Sequence, residues 1–74
     1  SMKLVCPSCG NEQDFQAKTL QVQTFKAKGT ESELTGRSRP VLLELLCDEC
    51  EAGLDFGAIE PGLRREIALL LDVE

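Results

Sequence analysis

A chain of 74 residues has room for one domain, and a domain this short buries only about 60% of the surface that its unfolded chain exposes. The formal net charge is −5, so the chain as a whole repels phosphate backbones, which disfavours general nucleic-acid binding. Histidine is absent, and this excludes a histidine general base, a Cys-His nucleophile pair and every histidine-ligated metal site.

The chain offers a thin core for its length. Hydrophobic residues make up 42% of the sequence, but its only aromatic side chains are three phenylalanines. A small core of leucine, valine and isoleucine usually needs a metal or disulfides to stabilise it. We therefore expect a domain that depends on a covalent or metal cross-link.

No targeting or membrane-spanning segment is visible in the sequence. The chain lacks an N-terminal apolar run with a basic flank, and no stretch approaches the roughly 20 apolar residues of a transmembrane helix. We therefore expect a cytoplasmic protein with no membrane contact. Ser1 before Met2 is interpreted as a remnant of tag removal and is left out of the predicted domain.

The first predicted feature is a turn around two cysteines. Residues 3–5 are predicted to form a short strand that leads into the sequence CPSCGN at residues 6–11. Pro7 fixes the φ angle for a turn, and Gly10 can take the positive φ angle that points backbone N–H groups at the sulfurs. This segment is predicted to form a knuckle that directs two sulfur atoms at one point.

Residues 15–27 are predicted to form a half-buried strand. Leu20 and Val22 alternate there with glutamines, and β-forming residues dominate the middle of the segment. Phe25 falls on the glutamine face. Either a bulge shifts the register or the phenylalanine ring lies at an edge, and the sequence leaves both alternatives open.

The next segments predict a hairpin and a central strand. Residues 28–40 are polar, contain two glycines and end in proline, which indicates the long mobile tip of a hairpin. Val41–Cys47 is apolar on most of both faces, as is typical of a central strand that is covered on each side. A short third strand between glycines is predicted at residues 53–57.

The C-terminal segment has helical spacing. Pro61 after Glu60 marks the helix start. Apolar residues then form a stripe about 100° wide. The stripe consists of Leu63, Ile67, Leu70 and Leu71. A helix this short is marginal alone in water, so the stripe is expected to cover the central strand. Leu69 and Val73 lie away from its centre.

The four cysteines predict a metal site. They fall in two Cys-x-x-Cys pairs, which together supply the four thiolates of a tetrahedral Zn²⁺ site. The predicted ligands are Cys6, Cys9, Cys47 and Cys50. Four cysteines without histidine describe a closed structural site, because a catalytic zinc keeps an open position. A disulfide framework is the competing interpretation, but paired cysteines in a reducing compartment favour a metal.

The motifs in this order resemble the zinc-ribbon superfamily, which shares its knuckle geometry with rubredoxin. The resemblance covers residues 3 to about 59 and makes the same four cysteines the ligands. It implies a small metal-stabilised β domain, a zinc ribbon of about three antiparallel strands, with a C-terminal α-helix. We expect one domain, with the ribbon at residues 2–59 and the helix at residues 60–74 packed on it.

The second knuckle departs from the family pattern. A glycine usually follows the second cysteine of each pair, but Glu51 stands there. A residue other than glycine at positive φ costs on the order of 1 kcal/mol, so the second turn is expected to differ in shape. Rubredoxins also carry Cys-Pro-x-Cys-Gly at this knuckle and surround the site with aromatic rings. Iron and electron transfer are therefore a lesser alternative to zinc.

Catalysis is not expected. A thiol redox site normally opens a helix, whereas both cysteine pairs here follow strands. The acidic residues Asp48, Glu49 and Glu51 are also expected to raise the thiol pKa values of the second pair. Nothing else in the sequence converges on a reaction, so we predict that the protein is not an enzyme.

Two functions fit the sequence. Protein–protein interaction is indicated by the negative net charge and by residues 41–60, which contain six acidic and no basic residues. Leu69 and Val73 are also predicted to form a contact surface on the helix for another protein or for a second copy of the chain. The alternative is a nucleic-acid or transcription-associated zinc ribbon. It is indicated by the basic hairpin tip but opposed by the lack of an exposed aromatic side chain there. The basic residues of the tip are Lys26, Lys28, Arg37 and Arg39.

Overall fold

A computed structural model describes residues 3–73. Within this range the chain forms five strands and one α-helix, joined by turns and two 3₁₀ segments. The strands are β1 (Phe15–Leu20), β2 (Gln23–Lys26), β3 (Glu33–Arg37), β4 (Val41–Cys47) and β5 (Gly53–Leu54), and the helix is α1 (Pro61–Leu71). Ser1, interpreted above as a tag remnant, and the predicted domain ends at residues 2 and 74 lie outside the described residues.

The predicted fold class is confirmed. Strands β1, β4 and β5 form an antiparallel sheet with β4 in the centre, and α1 follows at the C-terminal end. The predicted strand at residues 3–5 is wrong, because this segment pairs with no strand and Lys3 instead forms a 2.7 Å ion pair with Glu12. The third strand is shorter than predicted, since a 3₁₀ turn capped by Asp55 begins at Phe56.

The core lies at the cysteine end of β4. The buried hydrophobic side chains are Cys6, Leu45, Leu46, Cys47 and Val73. The other end of β4 is open, and Val41 and Leu43 are exposed. The prediction that β4 is covered along its whole length is therefore wrong. A bulge opposite residues 18–19 interrupts the ladder there, and the apolar residues of α1 lie beside Ala17 and Leu45 at the other end.

Residues 21–40 form an arm that extends from the sheet. The arm contains the antiparallel pair β2–β3, so the prediction that residues 28–40 are all loop is wrong. The single strand predicted at 15–27 is also divided. Between β1 and β2, the N–H of Val22 donates to the side-chain hydroxyl of Ser38 at 2.9 Å. In a continuous strand it would donate to a backbone carbonyl of the neighbouring strand. Pro40 offers no N–H donor just before β4 begins.

The arm contributes little to the core. All residues from 21 to 35 are exposed, and Leu20 just before them is exposed too, so the predicted burial of Leu20 and Val22 is wrong. Both alternatives for Phe25 occur, since a bulge lies between Thr24 and Phe25 and the residue is 69% exposed. The radius of gyration is 16.4 Å, against about 11 Å for a compact domain of this length.

Helix α1 begins where the sequence predicts. Pro61 occupies its first turn, and the Glu60 carboxylate accepts hydrogen bonds from the N–H groups of Gly62 and Leu63 at 3.0 and 3.1 Å. These two N–H groups lower the pKa of Glu60. Within the described part of the chain, no helix combines the length and apolar character needed to cross a bilayer.

The exposed side of α1 differs from the prediction. The helical spacing predicts that Leu70 is part of the buried stripe, but Leu70 is 83% exposed, next to Leu69 at 74%. Val73, by contrast, is only 4% exposed. Asp72 adopts a left-handed conformation, which turns the chain back so that Val73 N–H donates to Ala68 at 3.1 Å. Val73 therefore cannot belong to an exposed contact surface.

Candidate metal centre

The structure brings the four predicted cysteines together. Their sulfur atoms all lie within 4.8 Å of one another. The shortest contacts join the two knuckles, at 3.6 Å for Cys6–Cys50 and 3.5 Å for Cys9–Cys47. A Zn²⁺ ion with four Zn–S bonds of about 2.3 Å would place the sulfurs about 3.8 Å apart. The cluster therefore fits one tetrahedrally coordinated metal ion.

The sulfurs are not joined as disulfides. All four cysteines are free in the described chain, and the closest sulfurs are far beyond the roughly 2.05 Å of a disulfide bond. The geometry thus matches metal ligation better than the disulfide framework that the sequence leaves open. It does not distinguish zinc from iron, since both bind four thiolates.

The first knuckle has the turn that its sequence predicts. Cys6 N–H donates to the Asn11 carbonyl at 2.9 Å, and Gly10 N–H donates to the Cys6 carbonyl at 2.9 Å. Gly10 has a φ angle of 80°, as expected for the residue that turns the chain after the second cysteine. Both cysteines of the pair are thereby fixed by backbone bonds within one short loop.

The second knuckle repeats this geometry, so the prediction of a different shape is wrong. Cys47 N–H donates to the Ala52 carbonyl at 3.0 Å, and Glu51 N–H donates to the Cys47 carbonyl at 3.0 Å. Glu51 takes the left-handed conformation, with a φ angle of 62°, at the position that Gly10 occupies in the first knuckle. The strained residue is tolerated because the surrounding structure fixes the turn.

The first cysteine of each pair is buried and has a lowered pKa. Cys6 is 1% exposed, and the N–H of Cys9 contributes most to lowering its pKa. Cys47 is 0% exposed. Burial alone would raise the pKa of Cys47. Hydrogen bonds from the N–H groups of Cys50 and Glu49 and from the side chain of Asn11 outweigh burial, and the net pKa is lowered to about 6. The predicted effect of the acidic neighbours on Cys47 is therefore wrong, because N–H donors dominate.

The second cysteine of each pair behaves in the opposite way. The N–H of Asn11 acts to lower the pKa of Cys9. Burial and the neighbouring sulfurs outweigh this hydrogen bond, and the net pKa is raised to about 12. For Cys50 the N–H of Ala52 again acts to lower the pKa, yet the net shift is upward. Four adjacent thiols cannot all ionise without a cation, because thiolates repel one another. A divalent metal supplies that positive charge.

The exposure of the sulfurs disfavours thiol redox chemistry. Cys9 and Cys50 are the exposed cysteines, and they are the two with raised pKa values. The readily ionised sulfurs of Cys6 and Cys47 are buried. A redox-active thiol needs both a low pKa and solvent access, and neither pair provides them on the same atom.

Asn11 joins the two knuckles, a role that sequence reasoning missed. Its side-chain amide donates to the Cys47 sulfur at 3.3 Å. Its side-chain oxygen accepts from the N–H groups of Gln13 and Asp14 at 3.0 and 3.4 Å, which holds the amide in place. An asparagine directly after a knuckle glycine, followed by polar residues, is the signal for such a turn. The bond to the second knuckle depends on the tertiary fold.

Comparison of the chain with protein-family models, with curated proteins and with solved structures gives no match. The likeness to zinc ribbons therefore depends on the cysteine spacing, the small antiparallel fold and the sulfur cluster.

Proposed function

We propose that the chain is a zinc-ribbon module in which Cys6, Cys9, Cys47 and Cys50 bind one structural Zn²⁺, and that it acts through protein–protein interaction without catalysing a reaction. The sulfur cluster is the observation that carries the metal assignment. Four ligands from the protein fill a tetrahedral zinc, and no coordination position remains for a substrate. The metal would thus stabilise a chain whose buried core is small.

Zinc is favoured over iron by the second knuckle. Its sequence CDEC is followed by glutamate, whereas rubredoxins have proline after the first cysteine and glycine after the second. The purified protein is expected to contain one zinc per chain by elemental analysis and to be colourless. A red oxidised sample with one iron per chain would instead assign the site to electron transfer.

A chelator titration tests whether the metal is structural. Because metal binding and folding are coupled in small zinc domains, a strong zinc chelator should remove the metal and abolish the circular dichroism of the folded chain together. Addition of excess Zn²⁺ should restore both signals. A chain that stays folded after its metal is removed, with its thiols reduced, would contradict the structural role.

The interaction function is supported by the exposed side of α1. Leu69 and Leu70 are adjacent and both largely exposed, and adjacent exposed apolar side chains can mark an interaction surface. Glu66 is their neighbour on the helix surface, one turn earlier. We name Leu69, Leu70 and Glu66 the helix face. With Val73 buried, this face replaces the predicted contact through Leu69 and Val73.

Sedimentation velocity with a matched pair of variants tests the helix face. If it binds a second copy, wild-type protein should exceed 8.1 kDa at high concentration, and Leu69→Glu should lower its average mass. Thr30→Glu is the control, because it introduces a glutamate with the same charge change at an exposed position outside the helix face. Association that Leu69→Glu leaves unchanged would remove the helix face as the contact.

The nucleic-acid function is a second candidate because Phe25 is exposed. An exposed aromatic side chain near the basic tip is expected to be lacking, but Phe25 lies beside Lys26 and is 69% exposed. The described residues extend 51 Å along the longest axis, and charges are screened over about 8 Å at physiological salt. The acidic part of the chain outside the arm therefore repels phosphates at the tip less than the net charge suggests.

Fluorescence anisotropy with a labelled single-stranded oligonucleotide tests this candidate. Binding should appear at low salt, weaken steeply as salt rises and decrease in Phe25→Ala, because base stacking on an aromatic ring contributes about 1–3 kcal/mol. A wild-type chain that gives no anisotropy change at low salt would exclude the arm as a nucleic-acid site.

A further inference from the structure

The arm has no core of its own. It consists of one two-stranded sheet, and such a hairpin is marginally stable in water unless something covers it. Phe25 and Leu34 are directly opposite in the register of β2 and β3, so they form an apolar pair on one face. Both are exposed in the single chain. This pair is a surface that a partner can cover.

The accessible surface of the single chain indicates how much area a partner could cover. The structure exposes 5528 Å², whereas a compact protein of 8.1 kDa exposes about 4500 Å². The excess of about 1000 Å² per chain is close to the roughly 800 Å² that each partner contributes to a standard protein interface. One partner protein of ordinary interface size would therefore account for it.

The charges indicate that the partner is acidic. The arm carries a net charge of +2, and the rest of the chain carries −7, which together give −5. Arg37 lies on the same face of β2–β3 as the apolar pair, because its register partner Gln23 is two residues from Phe25. In the described chain, neither Arg37 nor Glu66 forms a salt bridge.

We propose that the partner is a second copy of this chain, and that the arm of each copy lies on the helix face of the other. Phe25 and Leu34 cover Leu69 and Leu70, and Arg37 pairs with Glu66. The apolar pair beside Arg37 thus meets an apolar pair whose charged neighbours one turn earlier are Arg65 and Glu66, and Glu66 is the partner assigned to Arg37. This inference depends on the proposed interaction function and names its partner.

The exchange is reciprocal. Each copy has one arm and one helix face, so a two-fold axis satisfies both surfaces of both copies in a closed dimer. A one-way contact would leave one arm and one helix face free on each pair of copies, and further copies would add there to form a ring or a filament. In the closed form each helix face is contacted by a basic arm.

Sedimentation velocity of the metal-loaded chain tests the dimer. Wild-type protein should approach twice 8.1 kDa, and Phe25→Asp should raise the dimer dissociation constant by at least about 30-fold, as expected for an aromatic anchor at an interface. Thr30→Asp, an equal charge change at the exposed tip, should leave it unchanged. Equal metal content and circular dichroism will show that the variants fold.

A charge swap tests the pairing of Arg37 with Glu66. Arg37→Glu and Glu66→Arg should each weaken the dimer, because like charges then face each other, and the double variant should recover most of the wild-type affinity. Two single losses without recovery in the double variant would overturn the assigned pairing.

Mixing two defective variants separates arm exchange from a helix-to-helix dimer. Phe25→Asp disrupts the contact surface of the arm, and Leu69→Glu disrupts the helix face. Each variant should therefore be monomeric alone. Together they retain one intact arm-on-helix contact, and a heterodimer should form. If Leu69→Glu weakens association but Phe25→Asp does not, the arm inference fails while the proposed helix-face function stands. A wild-type monomer at millimolar concentration, or an arm that binds only oligonucleotide, overturns the inference.

Discussion

The two knuckles reach the same geometry from different sequences. The first is CPSCGN, with a proline and a glycine suited to the turn, and the second is CDECEA, with neither. Their backbone hydrogen bonds nevertheless correspond one to one. The first turn is thus favoured by its own residues. The second is imposed by its surroundings, which are the end of central strand β4, the donors to its sulfur and the proposed metal.

The largest expected effect is the loss of a ligand from the imposed knuckle. Cys47→Ser should abolish tight metal binding and unfold the chain at room temperature, because it removes a thiolate that is buried and accepts bonds from Asn11 and Glu49. Metal content and thermal melting measure the result. Ser8→Ala, at the exposed tip of the first knuckle, is the control and should melt like wild type. Metal retention by Cys47→Ser would show that the ligands are misplaced.

The same contrast explains what the sequence could predict. The cysteine pairs, the central strand and the helix start follow from residues close together in the chain, and the sequence predicts them. Strand β3 could not be predicted, because Glu33–Arg37 shows no apolar alternation and becomes a strand only by pairing with β2. The burial of Val73 was also missed, since it depends on the left-handed conformation of Asp72. Long-range contacts determine both.

The second largest loss of stability is expected when the hydrogen bond between the two knuckles is removed. Asn11→Ala removes a donor to the Cys47 sulfur and the acceptor that holds the loop, and should lower the free energy of unfolding by about 2 kcal/mol. Asn11→Asp keeps the acceptor but replaces the amide donor by a negatively charged oxygen beside the Cys47 sulfur, so it should destabilise the chain at least as much as Asn11→Ala. Chemical denaturation of the metal-loaded chain measures both. No loss in either variant would mean that the knuckles are held independently.

Asn11 also sets how the site responds to acid. Its amide helps to hold the pKa of Cys47 at about 6, below the ordinary 9.0, and a lowered thiol pKa contributes stability that is lost as pH falls. Without this donor the pKa of Cys47 rises, so protons compete with the metal at higher pH. In an acid titration with a coloured chelator, Asn11→Asp should release its metal at higher pH than wild type. An unchanged midpoint would contradict the role of the amide.

A smaller effect tests the knuckle whose own residues favour the turn. Gly10→Ala should cost about 1 kcal/mol, because alanine at a φ angle of 80° is strained. A Cβ atom there would meet no heavy atom within 4 Å, so the cost comes from the backbone alone. Gly53→Ala is the control, since it also has open space but no positive φ angle. Equal melting of the two variants would show that the first turn is as strongly imposed as the second.

The smallest effect should have the opposite sign and belongs to the second knuckle. Glu51→Gly relieves a left-handed glutamate, but glycine also increases the entropy of the unfolded chain, so the net gain should be about 0.5 kcal/mol. Glu51→Gln keeps the strain and removes only the charge of the side chain that follows Cys50, and should therefore gain less than glycine if the backbone is the cause. Denaturant midpoints at fixed metal load measure the difference. If glutamine stabilises as much as glycine, the negative charge next to Cys50 limits the stability of this knuckle. The left-handed residue then costs nothing, because β4 and the proposed metal already fix the turn.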